Sequence, residues 1–159
     1  MIKIPKAIIT KSIIAGLFST VTIGALTLLT YQTTLGLFLA ASFGSSMVVL
    51  FGFPESPFAQ PKNVFFGHLL TALVGVVFAK YIPLPIYITI ALAVGCGVFL
   101  MILLNVVHPP AGGNPIVMIV GGGASYEYLI HPIMTGCLII LLFAIVINKF
   151  LLKKNYPLK

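Results

Sequence analysis

The sequence predicts an all-α polytopic membrane protein, a single transmembrane domain over residues 1–159 with about five transmembrane helices and a broken or re-entrant half-helix. Three observations predict it. Sixty per cent of the 159 residues are hydrophobic, and the mean hydropathy is +1.18. Only 7% are charged, against about 25% in ordinary soluble domains, so a soluble fold could not cover itself with polar groups. A helix-breaking run, His108-Pro109-Pro110-Ala111-Gly112-Gly113-Asn114-Pro115, interrupts the apolar sequence. In lipid a broken backbone is costly unless it is buried in protein or lines a wet cavity.

A bilayer-spanning helix needs about 20 apolar residues. Five stretches qualify, at roughly 12–30, 34–52, 63–81, 86–107 and 132–152. The first follows Lys3, Lys6 and Lys11 as a signal peptide would, but it is too long for a signal h-region and no cleavage site follows, so it reads as a retained span. The turn at Tyr31–Thr34 is short, which makes the first two spans an antiparallel hairpin. Between the second and third spans, Pro54, Pro57 and Pro61 forbid a continuous helix. Pro83 and Pro85 mark the next turn.

After the polar run, the apolar piece from Pro115 to Val120 is too short to span alone, and Gly121-Gly122-Gly123 and Glu127 follow it. It reads either as a re-entrant half-helix or as a broken sixth crossing. All nine basic residues are lysines, seven of them at the chain ends (Lys3, Lys6, Lys11, Lys149, Lys153, Lys154 and Lys159), and six crossings would place both clusters inside, as the positive-inside rule prefers. Gly36, Ala40 and Gly44 are spaced by four, as are Gly67, Thr71 and Gly75, a pattern that lets membrane helices approach closely. The stretches 34–81 and 86–152 also echo each other as span, proline-rich break, span, an arrangement that transporters use.

Several function classes are excluded or weakened. The +7 net charge follows topology and is not a nucleic-acid footprint. Cys96 and Cys137 lie in apolar runs and read as packing residues, not a disulfide or a metal pair. Three histidines without an acidic or cysteine cluster make no ligand set, so neither metal nor other cofactor is expected. With no intramembrane acid and no recognisable serine nucleophile, the chain does not read as an enzyme. The shortage of acids suits a neutral or anionic solute better than a cation.

The candidate site gathers at the breaks. Pro109 and Pro110 lack N–H groups, so a helix reaching His108 would leave the carbonyls of Asn105 and Val106 without donors. Beyond the break, Asn114 suits an N-cap and Pro115 the first helical position, which would aim the amides of Ile116 and Val117 into the gap as an anion site. Gly112 and Gly113 would permit close approach. His108 can donate, accept or carry a proton. At Gln60-Pro61-Lys62-Asn63 the same grammar recurs, with Lys62 adding positive charge, and His68 follows about two turns later. Ser45 and Ser46 lie mid-span and could face the site. Each has a plainer reading: His68 bonding a nearby carbonyl, His131 sitting at the interface, Lys62 marking topology, and the serines back-bonding to their own helix.

Three blocks carry a family likeness. They are Ser42-Phe43-Gly44-Ser45-Ser46 with Val48 to Phe51, Ser56 to Val64 running on to Gly75, and Leu104 to Ala111 with its His108-Pro109-Pro110 motif. On these the chain resembles the HPP family of small integral membrane proteins over about residues 10 to 150. The resemblance implies a bundle of four or more spans, and plastid and cyanobacterial relatives are associated with nitrite transport. The chain departs from the common pattern at Gly113-Asn114-Pro115, where members often have Ala-Thr-Ala-type residues, and has Lys62 where many have Arg. The expectation is a transporter or channel for a small anion, nitrite first, with possible proton coupling, in a self-associating protein of a bacterial plasma membrane. The alternative is an accessory or scaffold subunit embedded in the membrane.

Overall fold

A computed structural model of the chain describes residues 4–34, 36–121 and 125–158. Gly122 and Gly123 of the triple-glycine run lie outside the described residues. The described chain is helical and contains no strand. Its long helices are α1 (Lys6–Gln32), α3 (Pro61–Tyr81), α4 (Ile86–Leu103) and α6 (Leu129–Leu151). Each is long and apolar enough to cross a membrane. Two shorter helices are α2 (Ala41–Gly52) and α5 (Asn114–Val120).

The breaks follow from backbone chemistry. Residues 36–40 are non-helical, and Gly36 holds φ +109°, which glycine alone adopts freely. The Phe38 amide, left without a helical partner, donates to Thr30 Oγ1 at 3.0 Å. Helix α2 therefore starts seven residues later than the 34–52 span predicts, and its 12 residues rise only about 18 Å. Hydropathy cannot report this break, because residues 35–41 are nearly all apolar.

The turn after α2 is tied by Gln60, whose Nε2 donates to the carbonyls of Pro54 and Ser56 at 3.1 and 2.9 Å. A 3-10 turn at Pro57–Ala59 leads into α3, which begins at Pro61 as the sequence predicts. Helix α4 ends at Leu103, four residues before the expected end. Asn105 takes φ 53°, its N–H bonds to Ile102 O at 3.1 Å, and the Val106 N–H reaches Met101 O at 2.9 Å. That is the Schellman helix stop, with asparagine in the left-handed position. The chain then runs extended through Val106–His108, forms a 3-10 turn at Pro109–Gly113 and enters α5.

Contacts between ends give the topology. Lys11 lies 3.9 Å from Glu55, Tyr156 Oη donates to Ala59 O at 2.8 Å, and Asn63 Nδ2 donates to Val107 O at 2.9 Å. The start of α1, the 53–60 turn, the start of α3, the extended stretch after α4 and the segment after α6 thus share one end. At the other end the Phe38 and His131 rings lie 5.8 Å apart, and Tyr126 Oη donates to Tyr81 Oη at 3.4 Å. The segment 106–120 therefore runs from one end to the other as a broken crossing, not a re-entrant loop. So does 36–52. The described residues make six passes, and Ile4 and Leu158 lie at the same end.

These passes form two groups of three, α1, 36–52, α3 and α4, 106–120, α6, which run in opposite directions. In each group the middle pass is extended first and helical second. The last helix of each packs on the broken pass of the other. A Cβ on Gly67 of α3 would lie 3.0 Å from Val106 O and 2.9 Å from His108 Cβ, and one on Gly136 of α6 would collide with Phe38 O and the Phe43 ring. This is the inverted-repeat plan of many membrane transporters. The echo between 34–81 and 86–152 pointed to it with the wrong boundaries: α1 belongs to the first unit, and the broken element is its middle pass.

Glycine marks the tight seams. Gly75 stands where a Cβ would lie 2.8 Å from Met118 Cβ, so the Gly67–Thr71–Gly75 seam is the contact surface for the 106–118 segment. The Gly36–Ala40–Gly44 seam does not form, because Gly36 and Ala40 are not helical and a Cβ on Gly44 meets nothing within 4 Å. The main apolar core joins α1, α2 and α6 through Leu26, Phe43, Phe51, Ile133 and Ile140. Cys137 is buried within it, and both cysteines are free thiols.

Candidate functional site

Four side chains meet where the two broken passes face each other. Ser46 comes from α2, His68 from the second turn of α3, His108 from the extended stretch, and Asn114 from the first residue of α5. All are at most 2% exposed. The imidazoles of His68 and His108 have centroids 4.9 Å apart, and the Phe43 ring stands edge-on to His68 at 5.1 Å.

Ser46 Oγ is the hub, 2.9 Å from Nε2 of His68 and 2.9 Å from Nε2 of His108. The outer partner of His108 fixes the proton on that ring. His108 Nδ1 lies 2.7 Å from the carbonyl of Phe58, which can only accept, so this nitrogen carries the hydrogen and Nε2 accepts. Asn114 Nδ2 lies 3.1 Å from both His68 O and His68 Nδ1, and 3.0 Å from Thr71 Oγ1. Asn114 Nδ2 carries two hydrogens for these three acceptors; with one directed at His68 Nδ1, the Nε2 of that ring donates to Ser46. The Ser46 hydroxyl has two acceptors near it, His108 Nε2 and the Ser42 carbonyl at 3.1 Å. Donation to His108 leaves no ring nitrogen unpaired. The result is a one-way chain from Asn114 through His68, Ser46 and His108 to Phe58 O, closed with both rings neutral.

Other predicted residues lie apart from this cluster. Asn105 caps α4 and is exposed, apart from the buried cluster. Asn114 is not an N-cap: Gly113 holds that place, and the Asn114 amide group turns to His68 instead of its own helix. Ile116 and Val117 sit in a helical run that already starts at Pro109, so the free helix start expected there does not form, and Ile116 is exposed. Pro109 and Pro110 build the 3-10 turn that follows His108. Gly112 and Gly113 are half-buried with open space where a Cβ would stand.

Lys62 is exposed at the start of α3. Asn63 holds the Val107 carbonyl and so positions His108. Ser45 is exposed and bonds the Ser42 carbonyl of its own helix at 2.9 Å, its plainer reading. His131 is exposed at the far end beside Thr135.

Sequence reasoning missed Ser42, Thr71 and the Phe58 carbonyl as parts of the site. Ser42 Oγ lies 3.4 Å from His68 Nδ1, and its spacing of four from Ser46 puts both on one helix face. Thr71 follows His68 by one turn. Nothing in the sequence marks the Phe58 carbonyl.

The cluster is rich in donors and has no carboxylate; Glu55 and Glu127 are exposed. Among the described residues no three His, Cys, Asp or Glu side chains gather as a metal site would require.

Six passes, two of them broken around a buried polar cluster, define a polytopic integral membrane protein. The family model for the HPP transmembrane region matches residues 4–157, and the chain belongs to the HPP family. It is similar to a transmembrane protein of Dictyostelium discoideum, 39% identical over 126 residues, covering 76% of this chain and 44% of the relative. A second transmembrane protein from that organism is 33% identical over 141 residues, 83% of this chain and 45% of the relative. The chain thus spans less than half the length of these relatives. No solved structure matches it.

Proposed function

We propose that this chain carries a small anion across the membrane, with nitrite the first candidate. The observation that supports the reading best is the Asn114–His68–Ser46–His108 cluster at the junction of two broken passes. Its N–H and O–H groups are paired with one another in this closed arrangement and turn to a solute when the passes part; no carboxylate competes for it, and hydrogen bonds to a charged acceptor are the strong ones. Transporters built from inverted repeats hold their sites where discontinuous helices meet. The four side chains are buried, so a solute reaches them when the two groups of passes move apart. Nitrite is the solute that the family resemblance implies.

Orientation follows from charge. Six described lysines, Lys6, Lys11, Lys62, Lys149, Lys153 and Lys154, belong to the end that holds Ile4 and Leu158, and Lys80 to the other. The positive-inside rule makes the first end cytoplasmic.

The test is nitrite flux into proteoliposomes holding purified protein, wild type beside His108→Ala, with nitrate, formate and chloride as competitors. Flux that requires His108 and prefers nitrite supports the reading. No flux of any anion from folded protein defeats it. If a proton accompanies nitrite, uptake rises when the outside is acidified; flux indifferent to that gradient removes proton coupling.

A further inference from the structure

A second polar feature lies outside the cluster, at the lysine-rich end of the molecule. A groove of about 590 Å³ is bounded by Ala7, Lys11 and Ile14 of α1, Glu55 of the first turn, and Leu152 and Lys154 after α6. This volume is in the range of small-molecule sites. Its floor and walls are apolar apart from three charges and Thr10, and two of those charges are positive. Lys11 lies 3.9 Å from Glu55 and 4.4 Å above the Phe53 ring. Lys154 is partly buried, and that burial pulls its pKa below the usual lysine range; Glu55 opposes the shift and Lys11 adds to it. The groove therefore holds two ammonium groups against one carboxylate.

Its position matters as much as its charge. Lys11 stands less than two turns from the start of α1, whose following turns present Ile13, Leu17 and Val21 outward. In a bilayer those side chains lie among acyl chains, and Lys11 lies at headgroup depth. Positive sites between transmembrane helices on the lysine-rich side take up acidic headgroups.

We propose that this groove is a site for an anionic phospholipid, its phosphate between Lys11 and Lys154 and an acyl chain along Ile14 and Phe51. The phosphate supplies the negative charge that Glu55 alone does not. The site is independent of the anion reading for the buried cluster.

Native mass spectrometry of the whole chain in detergent tests it, with dioleoylphosphatidylglycerol or dioleoylphosphatidylcholine added. Wild type retains one phosphatidylglycerol per chain in preference to phosphatidylcholine. Lys11→Gln with Lys154→Gln lowers that retention at least fivefold, and Lys80→Gln at the opposite end leaves it unchanged. Glu55→Gln raises retention, because it removes the one acid from the groove. That rise separates a charge effect from damage to the fold, which would lower retention in both variants. Equal retention of the two lipids, or weaker retention in Glu55→Gln, overturns the proposal.

Discussion

Ser46 Oγ lies 2.9 Å from His108 Nε2, although 62 residues separate them in sequence. This contact joins the broken pass of one repeat to the broken pass of the other. It also explains why two adjacent serines on α2 have unequal roles: Ser46 faces the histidines, and Ser45 faces outward and bonds its own helix.

Ser46→Ala should leave two buried nitrogens, His68 Nε2 and His108 Nε2, without their hydroxyl partner. An unsatisfied buried group costs about 1–3 kcal/mol. The variant should therefore unfold at lower temperature in detergent and lose nitrite flux. Ser45→Ala removes only an exposed back-bond and should change stability by less than about 0.5 kcal/mol. Equal melting temperatures for the two variants would show that Ser46 is not the hub.

Gly67→Ala should push a methyl group against His108 Cβ at 2.9 Å and Val106 O at 3.0 Å. Overpacking of this kind costs about 1–3 kcal/mol. Displacement of His108 should reduce flux as well. Gly44→Ala has open space and should be neutral or stabilising by up to about 1 kcal/mol, through the better helix propensity of alanine. Thermal unfolding of the pair reads this difference directly.

Asn105→Gly should keep both stability and flux, because glycine adopts the φ of 53° at least as readily as asparagine. Asn105→Val should lose about 1–3 kcal/mol, since a β-branched residue is strained there. If Asn105 contacted solute, the glycine variant would lose flux while melting normally; that result would return Asn105 to the site.

The membrane class, the starts of α3 and α4, and the placement of the polar residues His68, His108 and Ser46 inside apolar surroundings were legible in the sequence. Each rests on local chemistry: mean transfer free energy over a window, proline's missing N–H, or a polar residue placed in lipid. The stop of α4 was also written locally, as Asn105 after an apolar run, and was passed over because Leu104–Val107 is as apolar as the helix before it. The same masking hid the break before α2, where Gly36 is the one visible sign.

What the tertiary structure alone decided is which groups meet. Asn114 reads as a cap by its neighbours and becomes a donor to His68, 46 residues away. The Phe58 carbonyl becomes the end of the hydrogen-bonded chain only because the 3-10 turn before α3 lies beside the extended stretch before Pro109. Those partners depend on how two oppositely directed triplets of passes pack, with Gly67 and Gly136 allowing each to close on the other. A residue's own neighbours set its backbone and its depth in the membrane; its hydrogen-bond partner across the bundle is set by helix rotation and contact distance, which no local pattern encodes.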